Sequence, residues 1–131
     1  MQLMATEAEK NINFLIPMAH VMDVQRSVDF YAKLGFEPWS IGKGDDGQVY
    51  WAHVKSGKAH LMFSNDCESG KIEKENTVVL YMYAEDLVKL RGELLAAGVK
   101  ASEISYPFYM QKGEVCLNDP DGYVVLIGQS D

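Results

Sequence analysis

The chain of 131 residues, 47% hydrophobic and 24% charged, has the size and composition of one globular domain with a substantial core. A net charge of −7 with no cluster of Lys and Arg argues against a nucleic-acid partner, because binding to phosphate backbones draws on clustered basic side chains. No run approaches the roughly 20 apolar residues of a membrane-spanning helix, and residues 1–10 carry Glu7 and Glu9 in place of a basic start, so the chain is expected to have no membrane partner and to be cytoplasmic.

Residues 1–12 read as an N-terminal arm, and 13–131 as a single domain made of module one (13–66) and module two (76–131). The first strand is expected over 14–22. Asp23 then caps a helix in which Val24, Val28, Tyr31 and Leu34 share one face and Gly35 ends the run. Strands follow over 37–41, 49–54 and 59–64, chosen for Val, Ile, Tyr and Phe content between Gly, Asp and Pro breaks. Asp45 and Asp46 read as a turn, and the polar stretch 64–76, which holds Cys67, as the connection between modules. Module two repeats the order: a strand over 77–83, a helix started by Asp86 with Leu87, Leu90, Leu94 and Ala97 on one face and Gly98 at its end, then strands over 100–104, 113–117 and 123–128. Cys67 and Cys116 form neither a disulfide framework nor a CxxC pair and read as free thiols.

Asp23 to Asp86 and Gly35 to Gly98 are both shifts of 63 residues. Carried forward without a gap, the shift aligns Leu61, Met62 and Phe63 with Val124, Val125 and Leu126. The chain therefore reads as a duplicated strand, helix, strand, strand, strand unit.

Two stretches, IPMAHVMDVQRSVDFYAKLGFEP over 16–38 and NDPDGYVVLIGQ over 118–129, resemble the opening and closing signatures of the glyoxalase/bleomycin-resistance/extradiol-dioxygenase (vicinal oxygen chelate) superfamily. Ser27, Phe30 and Tyr31 match its helix motif, and residues 119–122 its DPDG turn. The resemblance implies an α+β fold of two tandem βαβββ modules, with curved mixed sheets around a cavity, and a homodimer. It also implies four metal-ligand positions, one lying seven residues before each capping aspartate and one on the last strand of each module. Here those positions hold Ile16, Val79, Phe63 and Leu126. None can bind a cation, which needs several His, Asp, Glu or Cys donors. No metal and no cofactor are expected, and the closest likeness in character is to the metal-free bleomycin-resistance branch.

Side chains alternate across a strand. The parity of Ile16 and Val79 puts Met18, His20, Met22, Tyr81, Tyr83, Leu61, Phe63, Val124 and Leu126 toward the cavity, and the usual register of the third strands adds Trp51, His53, Glu114 and Cys116. His60 has the opposite parity and reads as a surface or core-edge residue. The YPFYM segment at 106–110 is placed to act as a lid and contributes Tyr109. The expected ligand-binding set is His20, Met22, Trp51, His53, Phe63, Tyr81, Tyr83, Tyr109, Glu114 and Leu126, suited to a small apolar or aromatic molecule. The leading function is binding without chemistry, with drug sequestration as one use. The alternatives are a lyase or isomerase using His, Tyr and Glu as acid and base or a displaced divalent metal, and a structural subunit whose cavity is filled by its own side chains.

Overall fold

Asp23 and Asp86 each start a helix, as their short acceptor side chains predict. In the computed structural model, which describes residue 11 and residues 14–65 and 78–131, Asp23 accepts from the Arg26 N–H and Asp86 from the Lys89 N–H, both at 3.1 Å. Helix α1 spans Val24–Ala32 and α2 spans Leu87–Ala96. After each, a glycine at positive φ, Gly35 at 95° and Gly98 at 82°, turns the chain back. The N-terminal arm, Cys67 and most of the expected connection lie outside the described residues.

The strands are β1 (Met18–His20), β2 (Glu37–Lys43), β3 (Val49–Ser56), β4 (Ala59–Ser64), β5 (Val79–Ala84), β6 (Glu114–Asn118) and β7 (Val124–Gln129). They form a four-stranded sheet in the order β1-β4-β3-β2 and a three-stranded sheet in the order β5-β7-β6. In both, the first strand of the module pairs parallel to the last and the other pairs are antiparallel. The result is an α+β fold of two mixed sheets, each carrying a helix of its own module. No helix among the described residues is long and apolar enough to cross a membrane.

Three expectations change. Strand β1 is shorter than 14–22 because Pro17 has no N–H for the ladder; only its carbonyl takes part, accepting from Met62 N–H at 2.9 Å. The strand expected over 100–104 does not form. The Cys116 N–H bonds the Ser102 hydroxyl at 2.8 Å where a ladder would offer a carbonyl, and the Ser102 carbonyl is occupied by Arg91 Nε at 2.8 Å. What remains of that edge is a bridge between Ser105 and Glu114 and the Ser102 N–H donating to the Cys116 carbonyl at 2.9 Å.

The third change concerns register. Met18 pairs with Met62 in β1 and β4, and Tyr81 with Leu126 in β5 and β7. Since Met18 and Tyr81 are 63 residues apart while Met62 and Leu126 are 64 apart, module two carries one extra residue before its last strand. Because strand side chains alternate faces, this single residue moves Phe63 and Leu61 off the expected cavity face. Phe63 is fully buried and stacks on Tyr31 with ring centroids 5.1 Å apart. With Ala52, Val54, Tyr31 and Phe36 it belongs to the core beneath α1, while Val115, Val125, Ile127 and Leu94 make the equivalent layer beneath α2.

The two modules are joined through the DPDG turn. Asp119, 5% exposed, accepts from the Tyr31 hydroxyl at 2.8 Å and from the Asp121 and Tyr123 N–H groups at 2.9 Å. Asp121 accepts from Met22 N–H and Arg26 Nη2, each at 3.0 Å. The Tyr123 hydroxyl donates to the His20 carbonyl at 2.9 Å. Ser27 and Tyr31 of the helix motif therefore serve the junction between modules: Ser27, also fully buried, faces Asp121 at 3.5 Å.

Candidate functional site

Each sheet buries one face under its helix and leaves the other open, and the open faces collect most of the candidate residues. Directly paired residues share a face. In the first sheet the open face therefore carries Met18, His20, Met62, His53, Trp51 and, opposite Lys55, His60. His60, expected at the surface or the core edge, thus sits beside His53 on the open face, a second consequence of the one-residue offset.

His53 Nε2 and His60 Nδ1 are 2.9 Å apart. A bulge between Pro38 and Ser40 brings Trp39 over this pair, with its ring 5.3 Å from each imidazole and Lys55 Nζ 4.2 Å from the ring centroid. Trp51 meets His53 edge-on at 6.4 Å. Trp39 was not among the sequence candidates, and a bulge that re-aims one side chain has no signature in residue spacing.

Desolvation, then the nearby His60 and Lys55, lowers the His53 pKa from its ordinary 6.5. A histidine lowered on folding binds its proton more weakly in the folded chain, so its contribution to stability is complete above 6.5 and is lost as pH falls through the folded value. We expect the melting temperature to fall on acidification through this range and the slope to flatten in His53→Gln. An unchanged slope in that variant would show that the pair is not coupled to folding.

In the second sheet Val79, Tyr81, Tyr83, Val124, Leu126, Gly128, Glu114 and Cys116 share the open face. The Tyr81 hydroxyl donates to Glu114 Oε2 at 2.5 Å and the Tyr109 hydroxyl to Oε1 at 3.1 Å. The hydrogen bond to Glu114, with partial burial, raises both tyrosine pKa values above the ordinary 10.0, so the phenols stay protonated donors. Glu114 itself is 7% exposed, in contrast to a solvated strand-end carboxylate. Tyr83 lies 5.2 Å from Tyr81. Residues 106–110 reach this face through the Tyr109 hydroxyl, although Tyr106, Phe108 and Tyr109 all remain exposed.

Of the ten sequence candidates, Trp51 and His53 come together on the first sheet, and Tyr81, Tyr83, Tyr109, Glu114 and Leu126 on the second. His20 ends β1 and Met22 lies two residues beyond it, and the backbones of both serve the module junction. Phe63 belongs to neither face and is core. A cleft of about 550 Å³ opens between the modules, lined by Leu34, Phe36, Tyr81, Tyr83 and Leu90 among others. That volume is in the range of small-molecule sites, roughly 300 to 1,000 Å³.

The four ligand positions implied by the resemblance, with Met62 now replacing Phe63, hold Ile16, Met62, Val79 and Leu126. These side chains do not fit a divalent cation. Among the described residues, no group of three or more His, Cys, Asp or Glu is placed to hold one.

Comparisons with known proteins agree with this architecture. The family described as the glyoxalase/bleomycin resistance protein/dioxygenase superfamily matches residues 13–127. No curated protein matches the sequence significantly. Among solved structures, a bleomycin resistance determinant encoded on the transposon Tn5 superimposes with a TM-score of 0.73 at 16% identity, covering 92% of this chain and 99% of that one. TnmS3, an antibiotic binding protein from Streptomyces sp. CB03234, gives 0.73 at 19% identity over 94% of this chain and 100% of its own. A bleomycin-binding protein complexed with bleomycin gives 0.70 at 16% identity over 92% and 100%. At these identities the likeness establishes the fold.

Proposed function

The chain belongs to the glyoxalase/bleomycin resistance protein/dioxygenase superfamily, and from that premise we propose that it binds a small aromatic or apolar organic molecule without a metal and without acting on it chemically. The observation that carries this reading is the pair of open sheet faces, one walled by Trp39, Trp51 and the histidine pair, the other by Tyr81, Tyr83, Tyr109 and Leu126, with four apolar residues at the ligand positions. Rings and methyl groups with a few orienting polar tips suit a flat, largely apolar compound. The binding of antibiotics by TnmS3 and of bleomycin by the bleomycin-binding protein supports the same class of ligand and a sequestering role.

We further propose that the working form is a homodimer. Met18, Trp39, Val79 and Tyr83 are 48%, 58%, 46% and 65% exposed on the two open faces, a large apolar surface for a monomer to show to water. A second copy laid across them would enclose a site between one molecule's first sheet and the other's second sheet.

Both tryptophans of the chain lie on the first open face, so their emission reports on it directly. Titration with a panel of planar aromatics and bleomycin, followed by tryptophan fluorescence and thermal melting, tests the reading. A ligand at 100 times its Kd is expected to stabilise the fold by about 2.7 kcal/mol and to shift the emission. Sedimentation is expected to give twice the 14.7 kDa chain mass. A panel that moves neither the melting temperature nor the emission would remove the ligand reading, and a monomer at working concentration the dimer.

A further inference from the structure

Glu114 is the feature of the open faces that a purely apolar ligand leaves unexplained. Among the described residues Asp119 and Glu114 are buried, and the Asp121 side chain, 2% exposed, is buried against its partner Arg26. Asp119 is satisfied by two backbone N–H groups and Tyr31 at the module junction. Glu114 receives two phenol hydrogen bonds, and among the described residues no Lys or Arg pairs with it. Lys112, two residues away, is turned to Asp131 at 2.7 Å. A buried carboxylate without a cation is costly, and one with about four lone-pair directions and two donors has room for another partner.

The surroundings specify that partner. Tyr81 and Tyr109 hold the carboxylate through their hydroxyls, and Tyr83 stands 5.2 Å from Tyr81, so three tyrosine rings, of a type whose faces attract cations, lie near the acid. Directly across the ladder from Glu114 is Gly128. A Cβ at that position would come within 2.8 Å of Met110 Cε and 3.1 Å of the Tyr81 hydroxyl. The missing side chain is what lets Tyr81 and Met110 settle over the strand beside the acid. At long range, the net charge of −7 favours approach of a cation over an anion.

We infer that, on the ligand surface proposed above, Glu114 with Tyr81, Tyr83 and Tyr109 forms a recognition site for a positively charged nitrogen, so that the ligand carries an ammonium or substituted amine beside its aromatic part. A neutral ligand leaves the acid without its counter-charge, and an anionic one is repelled.

Three probes of one ring size separate these cases: benzyltrimethylammonium, benzyl alcohol and benzoate, each titrated into the full chain by NMR with Kd read from shifts of the Tyr81, Tyr83 and Gly128 resonances. The cation is expected to bind about tenfold more tightly than the alcohol, with benzoate weakest. Glu114→Gln, which keeps the side-chain size and an acceptor for the phenols, is expected to erase the preference. Equal affinities for cation and alcohol, shifts away from this cluster, or a preference that survives Glu114→Gln would overturn the cation site. Equal binding of cation and alcohol would leave the ligand surface standing; failure of all three probes to bind would count against both. The wild-type comparison requires no variant to fold.

Discussion

Asp119→Ala is expected to lower stability by about 3 to 5 kcal/mol, the cost of removing one member of a buried, hydrogen-bonded polar group. Asp119 organises three donors at once: the Tyr31 hydroxyl from α1 and the backbone N–H groups of Asp121 and Tyr123 from its own turn. Alanine would leave all three without the acceptor they were folded around, in a place too buried for water to replace it freely. For a chain of this size the loss corresponds to a fall in melting temperature on the order of 10 °C. Tyr31→Phe removes one of the three bonds and keeps the stacked ring on Phe63, so its cost is expected to be smaller, about 1 kcal/mol. Urea unfolding of the two single variants and the double variant tests the assignment. Additive effects, or a loss under 1 kcal/mol in Asp119→Ala, would contradict the view that this carboxylate joins the modules. Burial places its pKa above the ordinary 3.8 despite these donors, which marks how far from solvent the junction sits.

Phe63→Ala and Met62→Ala are expected to behave differently although the residues are neighbours. Phe63 is fully buried in the core and stacked on Tyr31, so truncation leaves a large cavity and costs about 3 to 5 kcal/mol. Met62 pairs with Met18 and His53 on the open face, so its truncation is expected to cost about 1 kcal/mol or less, as for a partly exposed site, and to alter aromatic-ligand affinity. Thermal and urea unfolding of both variants, with ligand titration of Met62→Ala, measure the difference. A reversed order would mean that the face assignment of β4 is wrong.

Much of the fold was legible because its signals are local. Each capping aspartate, amphipathic turn and terminating glycine acts within a few residues, and both helices begin where Asp23 and Asp86 place them. Strand β4 runs over 59–64 as expected, between the turn glycine and the end of its apolar run. The expected strand over 100–104 failed for a reason that composition does not carry. Ser102 answers the Cys116 N–H with its side chain, and Arg91, from another element, takes its carbonyl.

The candidate site was legible in type more than in position. Tyr81, Tyr83, Glu114 and Leu126 follow from parity on three strands of module two that do form, and they share a face; Tyr109, read from the 106–110 segment, reaches that face through Glu114. Phe63 and His60 were exchanged between faces by one inserted residue. Leu61, Met62 and Phe63 are all apolar, so hydrophobicity matches Val124, Val125 and Leu126 equally well in either alignment.

What residue types alone establish holds in either register: two modules with capped helices, a DPDG turn, an acidic chain and apolar side chains at the implied ligand positions, since Phe63 and Met62 are equally unable to bind a cation. Which residues look into the open faces depended on pairing between distant strands, because a side-chain period of two turns a one-residue slip into a change of face. The His53–His60 contact, the Trp39 bulge and the burial of Glu114 beneath Tyr81 and Tyr109 all arise from such pairing.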